Sequence, residues 1–326
     1  MIVWTLAAIV AVLLLVVSAL VLFTAWVSRQ AEKAVPPRGR FVEVDGARIH
    51  YLDEGSGPVV LLIHGLSGQM YNFTHSLFAP LKRDFRVVVL DRPGSGYSTR
   101  PAHGGETVAD QARIISHFCE KLSLGQPLVA GHSLGGAIAL ALAVNHPYCV
   151  GGLALIAPAT EKPDRVPDPF GRLIIRSRLV RRLVAWTLAV PMSIASSART
   201  LAVLFGPQPV PADFGVRGGG LLSLRPVSFV GASTDLVAAQ DAEEPPARHD
   251  ELTMPVGILF GTADRVLDPA LHGKAFAAKL KDAELELIDG GGHMIPVTSA
   301  DRAAAFIARM ARRMAAVAAP GPAAKV

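Results

Sequence analysis

The sequence predicts an α/β fold in which a mostly parallel central sheet carries helices on both faces. Three observations carry that expectation. Short apolar runs bounded by turn signals recur at residues 59–63, 86–90, 128–130, 150–156 and 256–260, the pattern of strands buried on both faces. Segments with helical periodicity lie between them, as alternating strands and helices require in a parallel sheet. Residues 127–143 read as an apolar strand, a sharp glycine turn at Gly131-His132-Ser133-Leu134-Gly135, and an Ala/Leu helix.

The elements follow in order. Residues 2–27 hold no charged side chain, and only Thr5, Ser18 and Thr24 are notably polar. A helix of about 20 such residues crosses the hydrocarbon core of a bilayer. A cleaved signal segment calls for a basic start and a shorter apolar stretch, so residues 1–28 are expected to be a retained transmembrane anchor. Basic residues Arg29, Lys33, Arg38 and Arg40 follow the span and none precedes it, which predicts that the rest of the chain lies on the cytoplasmic face. Residues 29–40, with Pro36-Pro37 and Gly39, read as a short linker.

A hairpin turning at Asp45-Gly46 is expected to open the globular part. The run at 59–63 is a buried strand ending in the loop His64-Gly65-Leu66-Ser67-Gly68, and the run at 86–90 leads into Asp91. Residues 107–122 have helical periodicity with Thr107 as the N-cap. The strand near 150–156 precedes a long insertion, residues 160–252. Strands at 256–260 and 283–288 follow, with helices at 269–281 and 298–314. The expected division is therefore a core of residues 41–159 and 253–314, the insertion, and a disordered tail of residues 315–326 carrying Pro320-Gly321-Pro322. There is no internal repeat.

Composition fits one globular α/β unit with additions. The chain has 326 residues, 51% of them hydrophobic, and the mean hydropathy of +0.38 owes part of its height to the N-terminal segment. The net charge of +5 comes with no aromatic-basic interleaving and no nucleic-acid motif, so nucleic acid is not an expected partner. Cys119 and Cys149 do not suggest a disulfide framework and read as packing residues.

The chemistry gathers at strand ends. Gly131-His132-Ser133-Leu134-Gly135 matches G-x-S-x-G, in which a serine on a strained strand-to-helix turn projects its hydroxyl above the sheet. His293, after Gly290-Gly291-Gly292, is the candidate base. Asp264, just past the strand at 256–260, is the candidate acid, with Asp268 as an alternative whose competing role is to cap the helix beginning at Pro269. Glu161 and Asp164 are more distant acid candidates. His64 reads better as a brace for its own loop than as the base. Ser133, Asp264 and His293 lie in the order serine, acid, histidine.

Over about residues 40–313 the chain resembles the α/β-hydrolase superfamily. The resemblance rests on the His64-Gly65 loop, the turn Asp91-Arg92-Pro93-Gly94-Ser95-Gly96-Tyr97-Ser98, the serine elbow, the Gly261-Thr262-Ala263-Asp264 strand end and the terminal Gly292-His293. It implies an α/β-hydrolase fold with a helical lid inserted between the sixth and seventh core strands. It implies a catalytic triad of Ser133, Asp264 and His293, with an oxyanion hole built from the backbone N–H groups of Leu66 and Leu134. The implied reaction is hydrolysis of carboxylic esters with an apolar acyl chain, with monoacylglycerol-type lipids as candidates and with neither metal nor organic cofactor. A cofactor-free haloperoxidase-like or C–C-bond hydrolase would use the same triad. Epoxide hydrolases and haloalkane dehalogenases carry aspartate where this chain has Ser133. A binding protein on the same fold is the non-enzyme alternative.

The lid is expected to set substrate choice. Leu201, Val203, Leu204, Phe205, Phe214, Leu221, Leu222 and Phe229 offer apolar lining, and Gly218-Gly219-Gly220 reads as a hinge between its halves. Five arginines within residues 171–191 spread round a helical wheel, which leaves open two roles: solvated or snorkelling side chains on a lid helix, or a basic patch facing lipid.

Overall fold

The structure, a computed structural model, describes residues 1–162, 166–242 and 248–318. Asp164 and residues 319–326 of the expected tail lie outside them.

Eight strands form one sheet: β1 (Arg40–Val44), β2 (Ala47–Glu54), β3 (Val59–Ile63), β4 (Arg86–Leu90), β5 (Leu128–His132), β6 (Gly152–Ile156), β7 (Val256–Gly261) and β8 (Ala283–Ile288), in the spatial order β1-β2-β4-β3-β5-β6-β7-β8. β1, β2 and β4 pair antiparallel, and every pair from β4 to β8 is parallel. The expected mostly parallel α/β-hydrolase sheet is what forms. The all-apolar β3 and the apolar Val87–Leu90 of β4 lie in its interior because layers of helix cover both faces. β8 is half-buried at an edge, which its alternating Glu284, Leu285, Glu286, Leu287 pattern satisfies.

The helices are α1 (Ile2–Ala34), one-turn α2 (Tyr71–Thr74) and α3 (Phe78–Leu81), α4 (Val108–Lys121), α5 (Leu134–Asn145), one-turn α6 (Asp168–Gly171), α7 (Arg178–Trp186), α8 (Ala189–Phe205), α9 (Pro226–Asp241), one-turn α10 (Ile295–Thr298) and α11 (Ala300–Ala318). α4 begins where expected, with a reciprocal capping box between Thr107 and Asp110. α5 packs on β3, β5 and β6, while α11 packs on β5, β6 and β7. α11 runs on through residues 315–318, which were expected in the tail, because alanine is the strongest helix former.

α6 to α9 fill the insertion between β6 and β7. They build a small core of their own from Phe170, Leu173, Ala185, Ala189, Phe229, Ala232 and Leu236. α7 and α8 meet at a bend of 75°.

α1 departs from the expected anchor-plus-linker. Its helix continues to Ala34 instead of ending near Ser28, since Gln30, Ala31, Glu32 and Lys33 favour helix and the first breaker is Pro36. The segment that follows is tied down and is no free spacer. Tyr97 Oη donates to the Val35 carbonyl at 2.5 Å and Tyr71 Oη to the Pro36 carbonyl at 2.6 Å. Thr24, Val27 and Ala31 are buried against the body of the protein, whereas residues 1–19 are exposed all round.

Candidate active site

β5 ends at His132 and α5 starts at Leu134, so Ser133 alone makes the turn, with φ 55° and ψ −122°. That conformation is costly for a residue with a side chain and persists only where the surroundings hold it. Here Ser133 N donates to Ile156 O at 3.1 Å, and Ser133 O accepts from Gly136 N at 2.8 Å and Ala159 N at 3.0 Å. The turn is tight enough to require its glycines. A Cβ on Gly131 would stand 2.4 Å from Gly135 O, and one on Gly135 would stand 2.1 Å from Ile63 O.

His293 follows β8 on a loop held by Ala263 N donating to Gly291 O at 2.8 Å. Its Nδ1 lies 2.7 Å from Asp264 Oδ2, with both side chains almost wholly withdrawn from solvent. Asp264 Oδ1 accepts from the amides of Val266 at 2.7 Å and Leu267 at 3.0 Å. Burial alone would raise the Asp264 carboxyl, but His293 and the two amides outweigh it, so the group sits below the ordinary range and stays ionised. An ionised partner at Nδ1 fixes the proton there and leaves Nε2 as the basic nitrogen. Asp268 is turned away from His293: its Oδ1 accepts from Ala270 N at 2.8 Å, at the head of a π-helix, Ala270–Ala275, that stands at the start of the helix expected over 269–281. Glu161 is engaged elsewhere, with Lys279 at 2.5 Å. The structure brings Ser133 and His293 to one cavity, though no direct hydrogen bond joins them. Such bonds commonly tighten only with substrate.

The loop after β3 closes over the serine, near enough that a Cβ on Gly65 would lie 2.9 Å from Ser133 Cβ. His64 donates from Nδ1 to Gly65 O at 2.9 Å and accepts at Nε2 from Arg92 N at 2.9 Å. Burial, then the charge of Arg92, holds its pKa well below the ordinary value, so the ring is a neutral brace. The Arg92 side chain completes the clamp, with Nε 2.9 Å from His64 O and Nη2 3.0 Å from Gly65 O. Gly65 C=O and Leu66 N–H belong to one planar trans peptide and point opposite ways. Three donors on Gly65 O, counting Gly68 N at 3.2 Å, therefore fix the direction of the Leu66 amide. Leu134 N heads α5, where the first amides have no partner within the helix.

Two contributors were not read from the sequence. His132, the variable position of the elbow, reaches His293 O from Nε2 at 3.0 Å. Burial, reinforced by His293, pulls its pKa down to about 3, so it is a neutral donor. Arg92 was noted only as part of a turn. The available signal was an arginine two residues past the end of a buried apolar strand, where a buried charge needs a partner.

The cavity above Ser133 has a volume of about 570 Å³. Leu66, Phe170, Leu173, Leu201, Leu204, Phe214, Leu221, Phe229 and Met294 supply apolar wall, and Gln69, Arg172, Ser193, Ser197 and Thr200 supply polar groups. Phe205, expected in the lining, lies behind it, stacked edge-on to Phe214 at 4.7 Å and packed with Met294 and Val297. The triglycine is a clasp and no hinge. Gly218 O accepts from Gln69 Nε2 and Asn72 Nδ2, each at 3.0 Å, and Gly219, at φ +70°, leaves no room for a Cβ beside Gln69. Four of the insertion's arginines are structural ties. Arg176 pairs with Asp241, Arg178 with Glu106, Arg181 with Thr234 and the Ile175 carbonyl, and Arg172 with Ser196 and Thr200.

Residues 58–188 match a family model described as the alpha/beta hydrolase fold. The dihydrolipoyllysine-residue acetyltransferase component of the acetoin cleaving system of Cupriavidus necator is 39% identical over 120 residues, 36% of this chain and 32% of that protein. Haloalkane dehalogenase 2 of Mycobacterium tuberculosis is 36% identical over 121 residues, 37% of this chain and 42% of that one. The matched stretch thus spans less than half the length of these curated relatives. Among solved structures, a membrane phospholipase A described as a bacterial virulence factor is 27% identical, covers 95% of this chain and 97% of its own, and superposes with a TM-score of 0.66.

Proposed function

The chain belongs to the α/β-hydrolase superfamily, and from that premise we propose that it is a serine hydrolase of carboxylic esters with an apolar acyl chain. One observation carries the reading: Ser133 sits on a strained turn at the floor of a largely apolar cavity whose wall includes His293, itself held at 2.7 Å by Asp264.

In this reading Ser133 Oγ attacks the ester carbonyl carbon as His293 Nε2 takes its proton. The oxyanion that forms accepts from the amides of Leu66 and Leu134. The C–O bond breaks, and the alcohol leaves with the proton returned by His293. Water, deprotonated by the same nitrogen, attacks the acyl carbon and frees the acid and Ser133. Asp264 keeps His293 in the required tautomer and stabilises the imidazolium.

Monoacylglycerol-type and related lipid esters are the favoured substrates, supported by the apolar wall and by the likeness to a membrane phospholipase A. A dehalogenase reading is disfavoured by a serine at position 133. α1 serves as a membrane anchor and α6–α9 as a lid, with the domain on the cytoplasmic side of the basic residues that follow the span. The test is a panel of p-nitrophenyl and glyceryl esters from acetate to decanoate, with haloalkanes as controls. Acid and alcohol are expected in equal amounts, with no halide release. Halide release without ester cleavage would overturn the reading.

A further inference from the structure

We propose that the insertion docks on the lipid surface through the outer sides of α7 and α8, so that the cavity opens toward the leaflet that α1 leaves. This rests on α1 being a retained span. A hydrocarbon core of about 30 Å takes about 20 helical residues at 1.5 Å each. Counted from Ile2, the core ends close to Val21. Leu20 and Val21 are also where α1 stops being exposed all round, and Thr24 is fully buried. Beyond its exposed residues 1–19, α1 touches α7, α8 and the turn Gly220–Leu224. The insertion therefore meets the span at the edge of the hydrocarbon, with no spacer between them.

The outward sides of these helices suit that depth. Leu179, Leu183 and Trp186 form one stripe along α7 at helical spacing, and Leu188 and Met192 continue it across the bend, all of them exposed. Scattered exposed apolar residues need no explanation, but a contiguous set does. Leu22, Phe23 and Trp26 of α1, just past Val21, are exposed as well, so the apolar surface of the span continues into the half of α1 that packs on the protein. Arg182, on α7 beside Leu183, has no ion-pair partner among the described residues and can reach headgroups, while Trp186 has the amphipathic ring suited to the interface. The other side of α8 is cavity wall: Ser193, Ser197, Leu201 and Leu204 line it. A single helix thus separates the proposed lipid face from the space above Ser133, and an acyl chain would pass it without crossing water.

The chain has three tryptophans, so Trp4→Phe with Trp26→Phe leaves Trp186 as the sole emitter. The full-length variant is reconstituted in vesicles of phosphatidylcholine and phosphatidylglycerol. The expected result is blue-shifted Trp186 emission quenched by lipids brominated on the acyl chain and not by aqueous iodide. Leu179→Glu with Leu183→Glu should abolish that quenching and lower cleavage of a bilayer-resident ester about tenfold or more. Hydrolysis of p-nitrophenyl acetate should be unchanged, which keeps the esterase reading separate. Membrane-retained protein whose Trp186 is open to iodide would overturn the docking. So would a Trp186 shielded from both quenchers together with crosslinking between copies, which marks a protein interface. Release of the protein by carbonate would overturn the anchor, and the docking with it.

Discussion

Arg92 and Asp235 meet at 2.9 Å with both side chains withdrawn from solvent. The pair joins α9 of the insertion to the loop that aims the Leu66 amide, because the same guanidinium holds the carbonyls of His64 and Gly65. Asp235 also receives Arg100 at 2.5 Å and Gln111 at 3.2 Å, so one carboxylate balances two cations. Burial lowers the Arg92 pKa below its ordinary value while Asp235 opposes the shift. Removing one member of such a buried pair leaves uncompensated charge, at a cost of about 3–5 kcal/mol. Asp235→Asn should therefore lower the urea midpoint by a corresponding amount and reduce kcat as the Gly65–Leu66 peptide loses its brace. An unchanged midpoint would count against the clamp.

Two buried histidines predict acid lability. Burial holds the His132 pKa at about 3, and burial together with Arg92 holds that of His64 well below its ordinary value. In the unfolded chain each titrates near 6.5. Below that value the unfolded state binds more protons than the folded one. Stability is thus fully present above about pH 6.5 and falls by up to about 1.4 kcal/mol per pH unit per histidine as pH drops toward the folded values. Urea unfolding between about pH 8 and pH 4 should show a plateau and then this decline, with a shallower slope in His132→Gln. Stability independent of pH below about pH 6 would contradict it.

The two carboxylates after β7 should separate cleanly. Asp264→Asn would present an amide to His293 Nδ1 and favour the wrong tautomer, so kcat should fall by about 10⁴. Asp268→Ala should cost about 1 kcal/mol of stability, the usual worth of a cap, and leave kcat close to wild type. Steady-state kinetics beside thermal unfolding checks both, and the reverse pattern would reassign the acid.

The two phenylalanines of the insertion should also differ. Phe229 lines the cavity, whereas Phe205 is fully buried behind it. Each buried methylene of substrate is worth about 0.8 kcal/mol, so four added carbons could raise kcat/KM by up to about two orders of magnitude. Phe229→Ala should flatten that preference and spare acetate. Phe205→Ala should cost about 3–5 kcal/mol of stability. If wild-type kcat/KM falls steadily from acetate to decanoate, lipid esters are the wrong substrates.

What could be read from the sequence was local. Apolar runs marked the parallel strands, Asp45-Gly46 marked the hairpin, and the glycines around Ser133 marked a turn that admits no Cβ. Asp264 and His293 stood at strand ends, where open α/β sheets gather their polar groups. What could not be read depends on distant partners. Arg92 and Asp235 are separated by 143 positions. The triglycine looked like a hinge until Gln69 and Asn72 were seen to hold Gly218. Phe205 shares its composition with cavity residues, and only the fold turns it away from the cavity. The stretch after Ser28 carried charges and two prolines, yet its helix propensity carried α1 on to Ala34.

In the proposed mechanism Ser133 is a nucleophile activated by His293. Labelling with a fluorophosphonate probe, followed by mapping of the modified peptide, tests it most directly. A single adduct on Ser133 is expected in the wild type, with loss of both label and ester turnover in Ser133→Ala. An adduct on another serine, or wild-type turnover in the alanine variant, would contradict it.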